Sequence, residues 1–155
     1  MGAASRSFPT RTVRGLKRFV ALPTDRRAIS IEAVIALGVA SLLVRTVPIR
    51  WIGRRLERPD TRPHALTAEA GNIIREVGWA VRAAAPKTPW KSACLAQAFA
   101  GKWMLGRRGL DAAIRLGVAK DSDGNLQAHA WLCAGDTILT GGAQARRFRP
   151  IGDLE

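Results

Sequence analysis

Cys94 and His129 are the two residues whose types and placement could carry acyl-transfer chemistry. Cys94 follows the turn-forming stretch Pro89-Trp90-Lys91-Ser92-Ala93 and opens a run with helical apolar spacing. At a helix start, free backbone N–H groups and the helix dipole favour a thiolate over a thiol. The same N–H groups can stabilise the oxyanion formed when that thiolate attacks a peptide carbonyl. His129 lies in an alternating segment in which Gln127, His129, Trp131 and Cys133 share one face and Ala128, Ala130 and Leu132 the other. An imidazole there would take the thiol proton and later return it to a leaving amine. Each residue also has a plain alternative: a buried structural cysteine, and a histidine packed beside a tryptophan. His64, in a proline-rich stretch, competes poorly as the base, and Cys133 reads as mid-strand packing.

A third group should orient His129. Asp136 is the nearest acidic residue downstream, but Gly135-Asp136 reads as a hairpin tip, which puts His129 roughly 20 Å away at about 3.3 Å per residue. The cross-strand neighbour of His129 is expected near Thr140, Gly141 or Gly142, where no carboxylate stands. Thr140, Gln144 or a backbone carbonyl is left to do the orienting.

The elements that must position this pair come from periodicity and breakers. The segment 1–27 is basic, with a short amphipathic helix expected over 12–22. The apolar run 33–44 is too short to span a bilayer, which needs about 20 residues, and reads as a buried or partner-facing helix, with an interfacial membrane helix as the alternative. The proline-rich, charged stretch 57–64 reads as a linker. Thr67 caps an expected helix over 68–85, with Ile73, Ile74, Val77 and Val81 on its apolar side. Leu95, Phe99 and Trp103, with Ala98 and Leu105 beside them, mark a helix over 94–107 that ends at Gly109. Strands are expected at 112–118, 127–133 and 137–140, separated by Asp121-Ser122-Asp123-Gly124-Asn125 and Gly135-Asp136 turns. The fold class is therefore α+β: a helix carrying the cysteine, then an antiparallel meander, preceded by N-terminal helices. The expected division is a basic and apolar helical region at 1–60 and a peptidase core at 61–155.

Composition limits the rest. One domain of 155 residues with 47% hydrophobic and 24% charged residues is neither disordered nor polytopic. Two cysteines make no disulfide framework and point to a reducing compartment, and two distant histidines make no zinc site, so no metal and no cofactor is expected. The segment 1–14 has no h-region of a secretory signal, and Met1-Gly2 opens like a myristoylation site except that Arg6 stands where Ser or Thr is needed. A formal charge of +13 attracts nucleic acid, anionic membrane or acidic peptide without choosing among them, and Arg-rich composition can also reflect a GC-rich genome.

The ordered set Ser92-Ala93-Cys94-Leu95 with Ala98, then Leu105-Gly106-Arg107-Arg108-Gly109-Leu110 with Ala112, then Leu116-Gly117-Val118, then Ala128-His129-Ala130-Trp131-Leu132, resembles the lasso-peptide leader peptidases. The matching stretch covers about 90–154 and closes with Gly141-Gly142, Phe148 and Pro150. The resemblance implies a transglutaminase-like core and a bacterial, cytoplasmic cysteine protease that cuts the leader from a ribosomally made precursor. Cys94 would be the nucleophile and His129 the base. It implies as partners the precursor's leader, a separate leader-recognition protein and an asparagine-synthetase-like cyclase that closes the macrolactam; the helix at 33–44 would dock on one of these proteins or on a membrane, and no nucleic acid is expected. The family's usual Asp falls about where Gly141 stands here. Two other readings compete: a transglutaminase-like amidase or acyltransferase, and a non-enzymatic basic module for nucleic acid or anionic membrane. Only Trp51, Trp79 and Trp103 support the basic module, and they read better as core or helix-packing residues.

Overall fold

A computed structural model describes residues 21–47 and 67–153. The expected helix at 12–22 and linker at 57–64, together with Trp51 and His64, therefore lie wholly or mainly outside the described residues.

Helix α1 (Thr24–Thr46) is 23 residues long and starts well before the apolar run, because Asp25, Arg26 and Arg27 form a charged first turn that hydropathy alone does not reveal. It buries Ala33, Ala36, Leu37 and Ala40. Helix α2 (Ala68–Ala84) starts where Thr67 Oγ1 accepts the Ala70 N–H at 3.2 Å. Its buried positions Ile74, Val77 and Val81 recur at steps of three and four, and a 3-10 turn with Pro86 ends it. Helix α3 (Cys94–Gly106) packs against α1, α2 and the sheet. Gly109, at a φ of 69°, turns the chain so that Leu110 N–H bonds the Leu105 carbonyl at 3.1 Å.

The expected apolar positions of α3 are corrected in part. The buried positions are Ala96, Ala98, Ala100, Gly101, Met104 and Leu105, of which Ala98 and Leu105 were expected, while Leu95 and Phe99 are half-buried and Trp103 is 44% exposed with Arg107 over its ring. Small residues let α3 sit close to three neighbours at once, so Leu95, Phe99 and Trp103 are displaced to its rim. At Gly101 a Cβ would lie 2.6 Å from Leu132 Cδ2.

The sheet is antiparallel, in the order β3-β2-β1-β4: β1 (Ala113–Lys120), β2 (Leu126–Ala134), β3 (Thr137–Thr140) and β4 (Arg149–Asp153). The Asp121 carboxylate accepts the N–H groups of Asn125 and Asp123, which hold its pKa below the ordinary carboxylate range and form the β1–β2 turn. The first three strands form the expected meander. The last strand, and the short helix α4 (Gly142–Ala145) before it, had no periodic signal in the Arg-rich stretch 146–149. Helices therefore lie on one face of the sheet, in the α+β arrangement expected. Ile114, Ala130, Leu132 and Leu139 join the helical residues in one apolar core.

Candidate active site

Cys94 is the first residue of α3. No side chain caps that helix end, and no acidic residue occupies its first turn, so nothing there competes with an anion for the opening N–H groups. The loop before it is tied down from both sides. Gln97 Nε2 donates to the Ser92 carbonyl at 2.8 Å. Thr88 Oγ1 lies within 3.0 Å of the Ala85 and Trp90 carbonyls and of Ser92 Oγ. The Trp90 ring rests on Gly38 of α1. Cys94 itself is half-buried, accessible enough to meet a substrate.

His129 is 92% buried on β2, opposite Gly117 of β1. The glycine leaves room on that face for the Trp131 ring, which a Cβ at Gly117 would meet at 2.9 Å. The imidazole lies between Phe148, with centroids 4.9 Å apart, and Trp131, at 6.1 Å. Its Nε2 lies 2.9 Å from the Gly141 carbonyl oxygen. A carbonyl only accepts, so Nε2 carries the proton and Nδ1 keeps the lone pair.

The residues considered for orienting the ring fall in four different places. Asp136 is exposed in the turn between β2 and β3. Gln144 is exposed on α4. Thr140 is fully buried opposite Leu132, and its hydroxyl has no hydrogen-bond partner in the structure. The backbone carbonyl of Gly141 is the group that reaches His129. Gly141 also explains the missing carboxylate: its φ is 76°, and a Cβ there would lie 2.6 Å from the Ala130 oxygen and 3.0 Å from His129 Nε2. An aspartate cannot occupy this position without moving the histidine it would serve.

A family model for the transglutaminase-like superfamily matches residues 33–153. The chain belongs to that superfamily. Neither the curated proteins nor the solved structures gave a match. Transglutaminase-like proteins are in general cysteine peptidases and acyltransferases, so cysteine-based acyl chemistry is the activity that membership indicates. Within this transglutaminase-like domain, Ala130 and Leu132 face the helices and His129 and Trp131 the opposite side of β2. The structure records no hydrogen bond between the Cys94 thiol and the His129 ring. β3 ends at Thr140, opposite Leu132, so the edge of β2 at His129 is bordered by Gly141 and α4 instead of a strand.

Phe148, Thr88 and Gln97 were not singled out as supporting groups by sequence reasoning, whereas Gly141 was among the positions expected opposite His129 and a backbone carbonyl among the groups expected to orient it. Cys133 is buried on the same face of β2 as His129 and Trp131. Among the described residues no three His, Cys, Asp or Glu side chains gather as metal ligands would.

Proposed function

We propose that the chain is a cysteine peptidase that removes the leader from a lasso-peptide precursor, with Cys94 as nucleophile and His129 as base. The observation that carries this reading is the Nε2–Gly141 bond, which leaves Nδ1 as a proton acceptor in a superfamily built around cysteine nucleophiles. In this reading His129 Nδ1 takes the Cys94 thiol proton, for which the ring, on the side of β2 away from the helices, must reach the start of α3. The thiolate adds to the scissile carbonyl, and the opening N–H groups of α3 hold the oxyanion. His129 then protonates the departing amine of the core peptide. Water hydrolyses the Cys94 thioester, freeing the leader as an acid and restoring the thiol.

The leader as substrate is supported by the ordered motif set across 90–154. The same reading assigns leader capture to a separate recognition protein, ring closure to an asparagine-synthetase-like cyclase, and the reaction to the cytoplasm. The test is mass spectrometry of a precursor incubated with the chain and its recognition protein. Two fragments that sum to the precursor plus water are expected. Cys94→Ala and His129→Ala should each reduce cleavage by at least a thousandfold with folding intact, whereas Asp136→Ala should change it less than threefold. A peptide joined to an added amine, with no free leader acid, would instead identify an acyltransferase. Unchanged cleavage in Cys94→Ala would end the cysteine mechanism.

A further inference from the structure

Helix α1 has two apolar faces, and only one of them is used by the core. Ala33, Ala36, Leu37 and Ala40 are buried, but Ile31, Ile35, Val39 and Leu42, flanked by Val34 and Leu43, are each 40–63% exposed. Ile31, Ile35, Val39 and Leu42 follow one another at steps of four, four and three, so the exposed stripe is continuous along about 17 Å of helix. No charged side chain interrupts it. Glu32, the sole charge between Arg27 and Arg45, turns aside to pair with Arg108. Monomeric soluble domains rarely leave so long an apolar stripe open.

The charge distribution names what should cover it. Residues 1–66 hold thirteen Lys and Arg against four Asp and Glu, while residues 67–155 hold twelve against eight. The segments joined directly to the two ends of α1 are both basic: 1–20 has five cations and no acid, and 48–66 has five cations and two acids. An apolar stripe between two basic flanks matches an anionic lipid surface, in which apolar side chains enter the acyl boundary and cations meet headgroup phosphates. Two copies of this chain would instead bring like charge together at the same face. By length and composition α1 could also cross a membrane. Its opposite face, however, is fixed to α2 and α3, so a spanning position would tear open the core.

We propose that the outward face of α1 seats the protein on an anionic membrane, lying in the interface plane with the domain intact above it. This proposal is independent of the peptidase reading and is tested without measuring cleavage. The full chain is sedimented with vesicles of phosphatidylcholine alone and with vesicles containing one third phosphatidylglycerol. Binding at least tenfold tighter to the anionic vesicles, weakened by added salt, is expected. Ile35→Ser with Leu42→Ser should lower that binding at least tenfold with the unfolding temperature unchanged, since both side chains are more than half exposed. If the double variant misfolds, the salt and lipid dependence of the unaltered chain still decides. Equal affinity for both vesicle types, or none, overturns the proposal. Loss of vesicle binding together with a concentration-dependent dimer, or with cross-links from α1 to 1–20 or 48–66, also overturns it by assigning the face to a second copy or to the chain's own segments.

Discussion

In the proposed mechanism the Gly141 carbonyl does for His129 what a carboxylate does in a triad, with a dipole in place of a charge. It fixes the ring's tautomer and orientation but cannot stabilise an imidazolium by full Coulomb attraction. The aromatic partners Phe148 and Trp131 supply the remaining restraint by packing. Gly141 is thus a positioning residue whose backbone does the positioning. Gly141→Ala should cost about 1–3 kcal/mol, from the left-handed backbone and the contact with the Ala130 oxygen. Its distinguishing effect should be on kcat with KM nearly unchanged, because the Nε2 bond sets the orientation of the ring and not the binding of the peptide. Gly141→Asp should be no better than Gly141→Ala, because the Cβ, not the missing carboxylate, is the obstacle. A Gly141→Asp variant that cleaves faster than the original chain would show that the position can accept a triad acid after all.

At the scale of elements, α1 and α3 are clamped where Arg108, just beyond the end of α3, reaches back to Glu32. Arg108 Nη2 and Nη1 lie 2.6 and 3.0 Å from the two carboxylate oxygens, and Nη1 also meets the Met104 carbonyl. The hydrogen bond from Arg108 is the largest influence and holds the Glu32 carboxyl below the ordinary range; burial opposes it, and the charges of Arg108 and Arg107 each add a lesser lowering. A carboxyl that is more acidic in the folded state stabilises the fold above its unfolded pKa, and that contribution is lost as pH falls through the folded value. Both partners are part-exposed, so Glu32→Gln should lower stability by only about 1 kcal/mol at pH 7. The difference should shrink below about pH 4. Urea unfolding of both chains at pH 7 and pH 3 measures it, and a gap that stays constant would mean that the ion pair contributes nothing. The elements themselves were largely legible, because the Thr67 cap, the turn at 121–125 and the alternation of 127–133 are local signals. What escaped depended on distant partners. The buried side of α3 is decided by what packs on it, not by where Leu95, Phe99 and Trp103 recur. Which of the expected groups orients His129 also escaped, because the Gly141 bond joins residues twelve apart through a turn that leaves no chemical signature except a glycine.

On the scale of the whole molecule, α1 lies on the N-terminal side of residue 60 yet packs in the same core as α2 and α3, and the superfamily match begins at residue 33. Leu37 and Ala33 are completely buried, and Trp90, from the loop that carries the chain into Cys94, rests on Gly38. Support for the loop before Cys94 therefore passes through a helix that composition alone groups with the basic N-terminal region. Leu37→Ala should cost about 2–5 kcal/mol, a cavity in a core of mostly small side chains that has few large residues to close it. That is a large share of the roughly 5–15 kcal/mol by which domains of this kind are stable. Removing residues 1–46 should then do more than remove a docking surface. It takes away four core residues at once and exposes Trp90, so the remaining chain should lose cooperative thermal unfolding and, with it, cleavage. Ile35→Ser with Leu42→Ser leaves the inner face untouched and should keep both. Circular dichroism melts of the two chains side by side make the comparison. A chain lacking residues 1–46 that still melts cooperatively and still cuts a precursor would show that the core closes without α1, and that the helix is an appendage after all.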